Sequence, residues 1–254
     1  MPSFKIYLIT GANRGIGLQL VTQLLGRPNV KVVATARKPE AASELKELAS
    51  KYEGRLAVIP LDASDQKSIE ALPSHINKTF AGQEGIDAYI ANAAISDSYY
   101  KVLDTPKQTI IDHFNVNVLG TIETLKVVKP FLDKRNSARQ IIFISSAAGS
   151  VGGYIPFPVA GYGNTKASIN YFTRALASEL DGEGYTVVAI HPGMVSSDMG
   201  NYGITEAAKL GMDLKTLGVI TPTESASAQL KVFDNLDKSK SSKFFSYTGD
   251  ELPW

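Results

Sequence analysis

The chain has 254 residues, with 26 Lys and Arg against 25 Asp and Glu, and no cysteine. The near-balance of charge leaves no electrostatic footprint for nucleic acid or an anionic membrane surface. Without thiols, disulfides, thiolate catalysis and Cys-based metal sites are excluded, and a reducing compartment fits.

No Pro-rich, Gly/Ser-rich or like-charged run separates two hydrophobic halves, so one domain over 1–254 is predicted. Strand-like sequence from Phe4 leaves no room for a signal peptide, and the apolar runs are too short to span a bilayer. The expectation is a cytoplasmic protein with no membrane attachment. His75, His113 and His191 fall in separate segments without metal-ligand spacing, which predicts no metal site.

Residues 4–10 are an apolar, β-branched run that reads as a buried strand. Gly11, Gly15 and Gly17 follow in T-G-A-N-R-G-I-G, where an amphipathic helix opens and runs to about Leu25. Strand, glycine turn and helix start form the context of a dinucleotide site. The glycines let the backbone approach a pyrophosphate lying over the free N–H groups of the helix start. The next strand, 30–36, ends at Ala36 and is followed by Arg37 and Lys38. An acid at that place would bind the ribose 2′-hydroxyl, whereas a base accommodates a 2′-phosphate. Arg37, with Arg14 in the glycine turn, therefore argues for NADP(H) through charge-assisted hydrogen bonds. Lys38 reads as a solvated charge.

Residues 39–50 have helical spacing, and a third strand over 56–61 ends at Asp62. Asp62 has two readings: an acceptor for the adenine amino group, or a cap for the helix beginning near Asp65. A helix to about Phe80 and a strand over 86–91 follow, then N-A-A from Asn92, whose small residues let the backbone pass close to a cofactor. The repeated β-α alternation predicts a parallel sheet with helices on both faces. Thr105-Pro106-Lys107-Gln108 reads as a helix start, with Thr105 as cap, proline in the first turn and Gln108 closing a capping box. The helix beyond it contains N-V-N-V-L-G-T, and each Asn or Gly there costs roughly 0.5–1 kcal/mol relative to alanine. A local reason is expected: Asn117 keeping a water or a lysine in place, Gly120 permitting close packing. Pro130 kinks the end of this helix or lies just beyond it.

The fifth strand, 139–145, places Ser146 at its C-terminal end, where open α/β sheets build their sites. A loop rich in glycine and aromatics, 149–161, leads to Tyr162 and Lys166. Four residues apart, they leave one helix face, beside the apolar stripe Ile169, Phe172, Leu176 and Leu180. An ammonium beside a phenol favours the phenolate and draws a weak acid towards neutral pH. Y-x-x-x-K also arises by chance; the accompanying Ser146 and glycine turn single this one out. A sixth strand, 186–191, ends in P-G-M-V-S-S-D-M, which places Val195 and Ser197 near the same edge. Residues 201–218 are loosely helical, carry Tyr202, Leu210 and Met212, and suggest a mobile substrate lid around 199–220. Thr221-Pro222-Thr223-Glu224 is a second capping box, and 244–247 is a short last strand.

On T-G-A-N-R-G-I-G, Asp62, N-A-A from Asn92, Asn117, Ser146, Tyr162-x-x-x-Lys166 and Pro192-Gly193, in that order, the chain resembles the short-chain dehydrogenase/reductases from end to end. It looks most like fungal reductases related to norsolorinic acid ketoreductase and like sniffer-type carbonyl reductases, which often end in a tail similar to Y-T-G-D-E-L-P-W. The resemblance implies a single-domain, doubly wound α/β Rossmann fold with a seven-stranded parallel sheet in the order 3-2-1-4-5-6-7. It implies a catalytic tetrad of Asn117, Ser146, Tyr162 and Lys166. NADPH/NADP+ would be held by Gly11, Asn13, Arg14, Gly15, Ile16, Gly17, Arg37, Asp62, Ala63, Asn92, Ala93, Ala94, Tyr162, Lys166, Pro192, Gly193, Val195 and Ser197. Ala94 replaces the family's usual glycine, and Ser197 a frequent threonine.

In the implied reaction Tyr162 is the acid, Ser146 polarises the carbonyl, and Lys166 holds the nicotinamide ribose and lowers the tyrosine's pKa. Asn117 anchors a water that relays protons to Lys166. Ile95, Tyr99, Tyr154, Phe157, Met194 and Tyr202 surround the mouth, so the small-molecule partner is expected to be a bulky or aromatic carbonyl compound. Helices around 105–132 and 160–181 lie where the family pairs subunits, which predicts a homodimer or homotetramer. Two other readings are an NADP(H)-binding redox sensor or scaffold without turnover, and an alcohol dehydrogenase working in the oxidative direction.

Overall fold

The computed structural model describes residues 4–136, 138–211 and 218–254. Short β-branched runs form the strands β1 (Lys5–Ile9), β2 (Val30–Ala36), β3 (Leu56–Pro60), β4 (Ala88–Ala91), β5 (Arg139–Ile144), β6 (Tyr185–His191) and β7 (Lys243–Ser246). They pair in parallel in the order β3-β2-β1-β4-β5-β6-β7, with Tyr7 of β1 opposite both Val32 and Ala88. The expected sheet order is present. Consecutive side chains of a strand enter opposite layers: Tyr7 and Ile9 meet the core under one set of helices, and Ile6 and Leu8 meet the other.

The helices are α1 (Gly15–Leu25), α2 (Ser43–Lys51), α3 (Gln66–Asn77), α4 (Phe80–Glu84), α5 (Lys107–Phe114), α6 (Gly120–Leu132), α7 (Ala160–Glu179), α8 (Asp198–Lys209) and α9 (Pro222–Asp234). Leu20 and Leu24 of α1, Leu45 of α2 and Phe233 of α9 cover one face of the sheet. Leu72 of α3, Leu125 of α6 and Ile169 of α7 cover the other. The connections from β1 to β2 and from β1's neighbour β4 to β5 leave on opposite sides, which opens a crevice between the carboxyl ends of β1 and β4.

Local expectations meet the structure in three places. Thr105 does not cap α5: the cap position is Pro106, with no side-chain hydrogen bond. The proline that follows holds Thr105 extended at ψ 117, and its Oγ1 donates instead to Lys101 O. Gln108 consequently closes no capping box and donates to Asp112 at 2.8 Å. Second, the helix through 107–132 is interrupted by a π-turn, Asn115–Leu119, centred on Asn117. That is the local reason for its poor helix formers, with Gly120 added: a Cβ at 120 would be driven into the carbonyl of Ala63 after β3. Pro130 lies inside α6. Third, residues 198–209 form a regular helix capped by Ser197 rather than a loose segment. The capping box at Thr221 and Glu224 is formed. Met212 lies outside the described residues.

Candidate active site

Every predicted site residue from Gly11 to Ser197 except Asn117, Tyr162 and Lys166 lies in or just beyond a turn at the carboxyl end of a strand. At β1 the turn is tight. Gly11 has φ +62, and a Cβ there would stand 2.9 Å from the Cα of Ala93, so the turn after β1 is pressed onto the turn after β4. Asn92 staples the two: its Nδ2 donates to Thr10 O at 2.9 Å and to Gly11 O at 3.0 Å. Thr10 answers by accepting the amides of Asn92 and Ala93 on Oγ1, both at 3.0 Å.

The start of α1 has the character of an anion seat. Its cap, Arg14, makes no side-chain hydrogen bond to the first turn, and that turn contains no acid. A Cβ at Gly17 would fall 2.6 Å from Asn92 Nδ2, a second close approach that keeps the cradle small. These features fit a dinucleotide pyrophosphate. Asn13 and Arg14 are exposed, whereas Ile16 packs against the core. Ser197, across the crevice, comes within 3.6 Å of a Cβ placed at Gly15.

The expected pair of guanidiniums is divided between two partners. Arg14 Nη1 meets Asp198 of α8 at 3.0 Å, and Arg37 is exposed at the end of β2. Arg37 acts on Asp62. Partial burial pushes that carboxyl up, but the hydroxyl and amide of Ser64 and the Arg37 charge outweigh it and hold Asp62 below the usual range. Asp62 is not a helix cap: Asp65 caps α3 by accepting Lys67 N. Val195 is buried and paired with Ile220, and Pro192 O accepts Ser225 Oγ at 2.6 Å, which fixes the turn after β6.

Ser146, Tyr162 and Lys166 come together where β5 ends against α7. Ser146 caps a short turn, accepting Ala148 N at 3.1 Å. Lys166 is 4% exposed. Its Nζ donates to Ile144 O at 2.7 Å and stands 5.5 Å from the centre of the Tyr162 ring. Burial lowers its pKa to about 8. Burial also pushes the Tyr162 phenol well above its ordinary value; a hydrogen bond with Ser146 pulls it down and the nearby Tyr99 adds to the rise. Desolvation of the phenolate is thus the largest influence on Tyr162 in the folded chain.

Asn117 does not face open space either. Its Oδ1 accepts Ile95 N at 2.8 Å, and its Nδ2 donates to Ile95 O at 2.9 Å and Thr165 Oγ1 at 3.1 Å. Its side chain fastens the segment after β4 to α7, and the π-turn is what brings it there.

Two supporting residues escaped the sequence reading. Ser145 Oγ donates to Asn170 Oδ1 at 2.6 Å, and Asn170 Nδ2 to Gly149 O at 3.2 Å, beneath the reacting side chains. Asn170 is four residues past Lys166, so the same i, i+4 rule could have found it.

At the mouth, Tyr99 meets Phe157 at 5.5 Å and Tyr202 at 5.6 Å between ring centroids, both edge-on. Gly203 of α8 leaves room for the Tyr99 hydroxyl. Ile95 and Met194 are half-buried, but Tyr154, 73% exposed, stands apart from this cluster. Among the described residues, no group of three or more His, Asp or Glu is placed to hold a metal, and no helix is long and apolar enough to cross a membrane.

Residues 5–207 match the family described as short chain dehydrogenase. An uncharacterized oxidoreductase from Saccharomyces cerevisiae is 41% identical, with 96% of each chain covered. The short chain dehydrogenase gsfK of Penicillium aethiopicum is 35% identical over 97% of this chain and 98% of its own. Among solved structures, an NADPH-bound carbonyl reductase from chicken fatty liver superposes with a TM-score of 0.87 at 31% identity, covering 99% and 100% of the two chains. The carbonyl reductase Sniffer of D. melanogaster gives 0.86 at 25%, with the same coverage.

Proposed function

Because the chain belongs to the short-chain dehydrogenase family and is an oxidoreductase, we propose that it is an NADPH-dependent carbonyl reductase with Tyr162 as general acid. The convergence of Ser146, Tyr162 and Lys166 at the carboxyl end of β5 carries this reading. A sensor or scaffold has no use for a phenol, a hydroxyl and a buried ammonium within reach of one another.

Tyr162 is protonated at neutral pH in the protein alone, with the Ser146 hydrogen bond working against the rise that burial imposes on its pKa. Ser146 shares the hydrogen bond and polarises the substrate oxygen. Lys166, anchored on Ile144 O, keeps further N–H groups with which it would hold the nicotinamide ribose. The Asn117 side chain keeps Ile95 and α7 in place, and from there Asn117 would anchor the water that relays protons to Lys166. Bound NADPH would supply the hydride. The edge-on rings of Tyr99, Phe157 and Tyr202 favour bulky or aromatic ketones, aldehydes and diketones. The test is NADPH oxidation against a panel of these; no turnover with any of them would favour the sensor reading.

The NADPH-bound neighbour and the charge at the end of β2 support NADP(H). Arg37 is the base best placed for a 2′-phosphate, with Arg14 shared with Asp198. Arg37→Asp is expected to reverse the preference, losing NADPH efficiency by about 10- to 100-fold, the worth of one charge-assisted contact. Equal use of NADPH and NADH by the original protein would sink the assignment.

A homodimer or homotetramer is the accompanying proposal. Ile110 and Ile111 of α5, Leu119 of the π-turn and Tyr171 of α7 leave large apolar side chains exposed on the two helical segments in question. Light scattering at micromolar concentration should give a multiple of the chain mass; a monomer mass would overturn it.

A further inference from the structure

Between Ser146 and Tyr162 the chain runs through a loop whose turn at 151–155 buries little apolar surface: Val151 is 77% exposed, and Tyr154 and Ile155 are exposed as well. Such a segment takes its position from hydrogen bonds. Two of them are accepted by residues 253 and 254. After β7 the chain turns back along the edge of the sheet, where Glu251 bridges Phe245 antiparallel and Leu252 N donates to Phe244 O at 2.7 Å. Covering a strand edge explains residues 250–252. It does not explain the two that follow.

Trp254 lays its ring on the buried Phe244, with centroids 5.7 Å apart, and Arg174 of α7 stands 5.8 Å over the same ring. Anchored in this way, Pro253 and Trp254 aim their main-chain carbonyls at the loop. Ser150 Oγ donates to Pro253 O at 2.6 Å, and Gly152 N donates to Trp254 O. The same Ser150 Oγ accepts Gly153 N at 2.8 Å. The fit is close: a Cβ at Gly152 would lie 3.0 Å from Trp254 O, and one at Gly153 2.9 Å from Pro253 Cγ. One residue earlier, Gly149 is tied to α7 through Asn170. The loop then continues to Phe157, the ring against Tyr99 at the mouth.

We propose that Pro253 and Trp254 are positioning residues for substrate binding: they moor the turn at 150–153 and so set where Phe157 stands at the mouth. The proposal rests on the carbonyl-reductase reading of the site. It is tested in the full-length chain with Trp254→Ala, Trp254→Phe and Ser150→Ala, none of which alters a reacting group. Two readouts are needed: amide hydrogen exchange over 149–158, and the KM of an aromatic ketone beside kcat and NADPH affinity.

Trp254→Ala and Ser150→Ala should each speed exchange in the loop and raise KM by about three- to tenfold, the size of one lost hydrogen bond or ring contact. NADPH affinity and kcat should be unchanged. Trp254→Phe, which keeps a ring on Phe244, should restore both readouts. Should Trp254→Ala fail to fold, Ser150→Ala carries the test alone. Unchanged exchange overturns the mooring, and faster exchange with unchanged KM overturns the positioning role. A wild type that reduces no carbonyl fells the underlying reading, a result the exchange data keep separate from the mooring itself.

Discussion

Tyr162→Phe is expected to lose carbonyl reduction by at least the 10²- to 10⁴-fold, roughly, that a positioned general acid contributes. The substitution removes one oxygen and keeps the ring, so the start of α7 retains its packing against the loop after β5. NADPH binding, followed by fluorescence titration, should survive. Thr165 Oγ1 still donates to the main-chain oxygen of residue 162, so the local backbone has no reason to move. Ser146 is left as the nearest hydroxyl, but a serine is a far weaker acid than a phenol. Near-normal turnover with intact NADPH binding would place the acid elsewhere in the pocket or return the protein to the binding-only reading.

What was legible in the sequence is what local rules decide. T-G-A-N-R-G-I-G carries its own strand, turn and helix start, and the i, i+4 spacing of Tyr162 and Lys166 needs only a helix to place both on one face. Where two local rules competed, the sequence misled: Thr105 looks like a cap until the proline after it is allowed to hold its backbone extended. What was not legible depends on partners far along the chain. Nothing near Arg14 announces Asp198, 184 positions away. Nothing near Ser150 announces Pro253. The penalty of Asn117 and Gly120 as helix residues was visible, and so was close packing as the reason for Gly120, but the partners Ile95, Thr165 and Ala63 were not.

The same limit governs charge. Spacing alone brought an ammonium to a phenol and predicted a lowered tyrosine pKa, but spacing carries no information on burial. In the folded chain burial is the largest influence on both groups, and it acts against the charged form of each. The proposed reductase site thus begins from a neutral phenol beside a lysine that is itself held reluctantly in its charged form.

Lys166→Met exposes that reluctance in two ways. For activity, loss of the ammonium removes a charge-assisted hydrogen bond from the nicotinamide ribose, so NADPH affinity should fall by about 10- to 100-fold. Turnover should fall with it, since Tyr162 loses its charged neighbour. For stability, the pKa of about 8 against 10.5 means that the folded chain holds this proton less tightly than the unfolded chain does. The unfolded state therefore binds more protons between those two values, and the wild type gains stability as pH rises through that window. Below it both states are protonated and the wild type carries the full penalty, on the order of 3 kcal/mol. Methionine has no such penalty but leaves Ile144 O without its donor, a cost of about 1–3 kcal/mol. The two terms nearly offset at neutral pH, so a single melting temperature there decides nothing. The slope does: in urea unfolding from pH 7 to 10, the stability of the wild type relative to Lys166→Met should climb above about pH 8. A difference flat in pH would mean that Lys166 binds its proton equally well in the folded and unfolded chain, and that burial does not work against its charge.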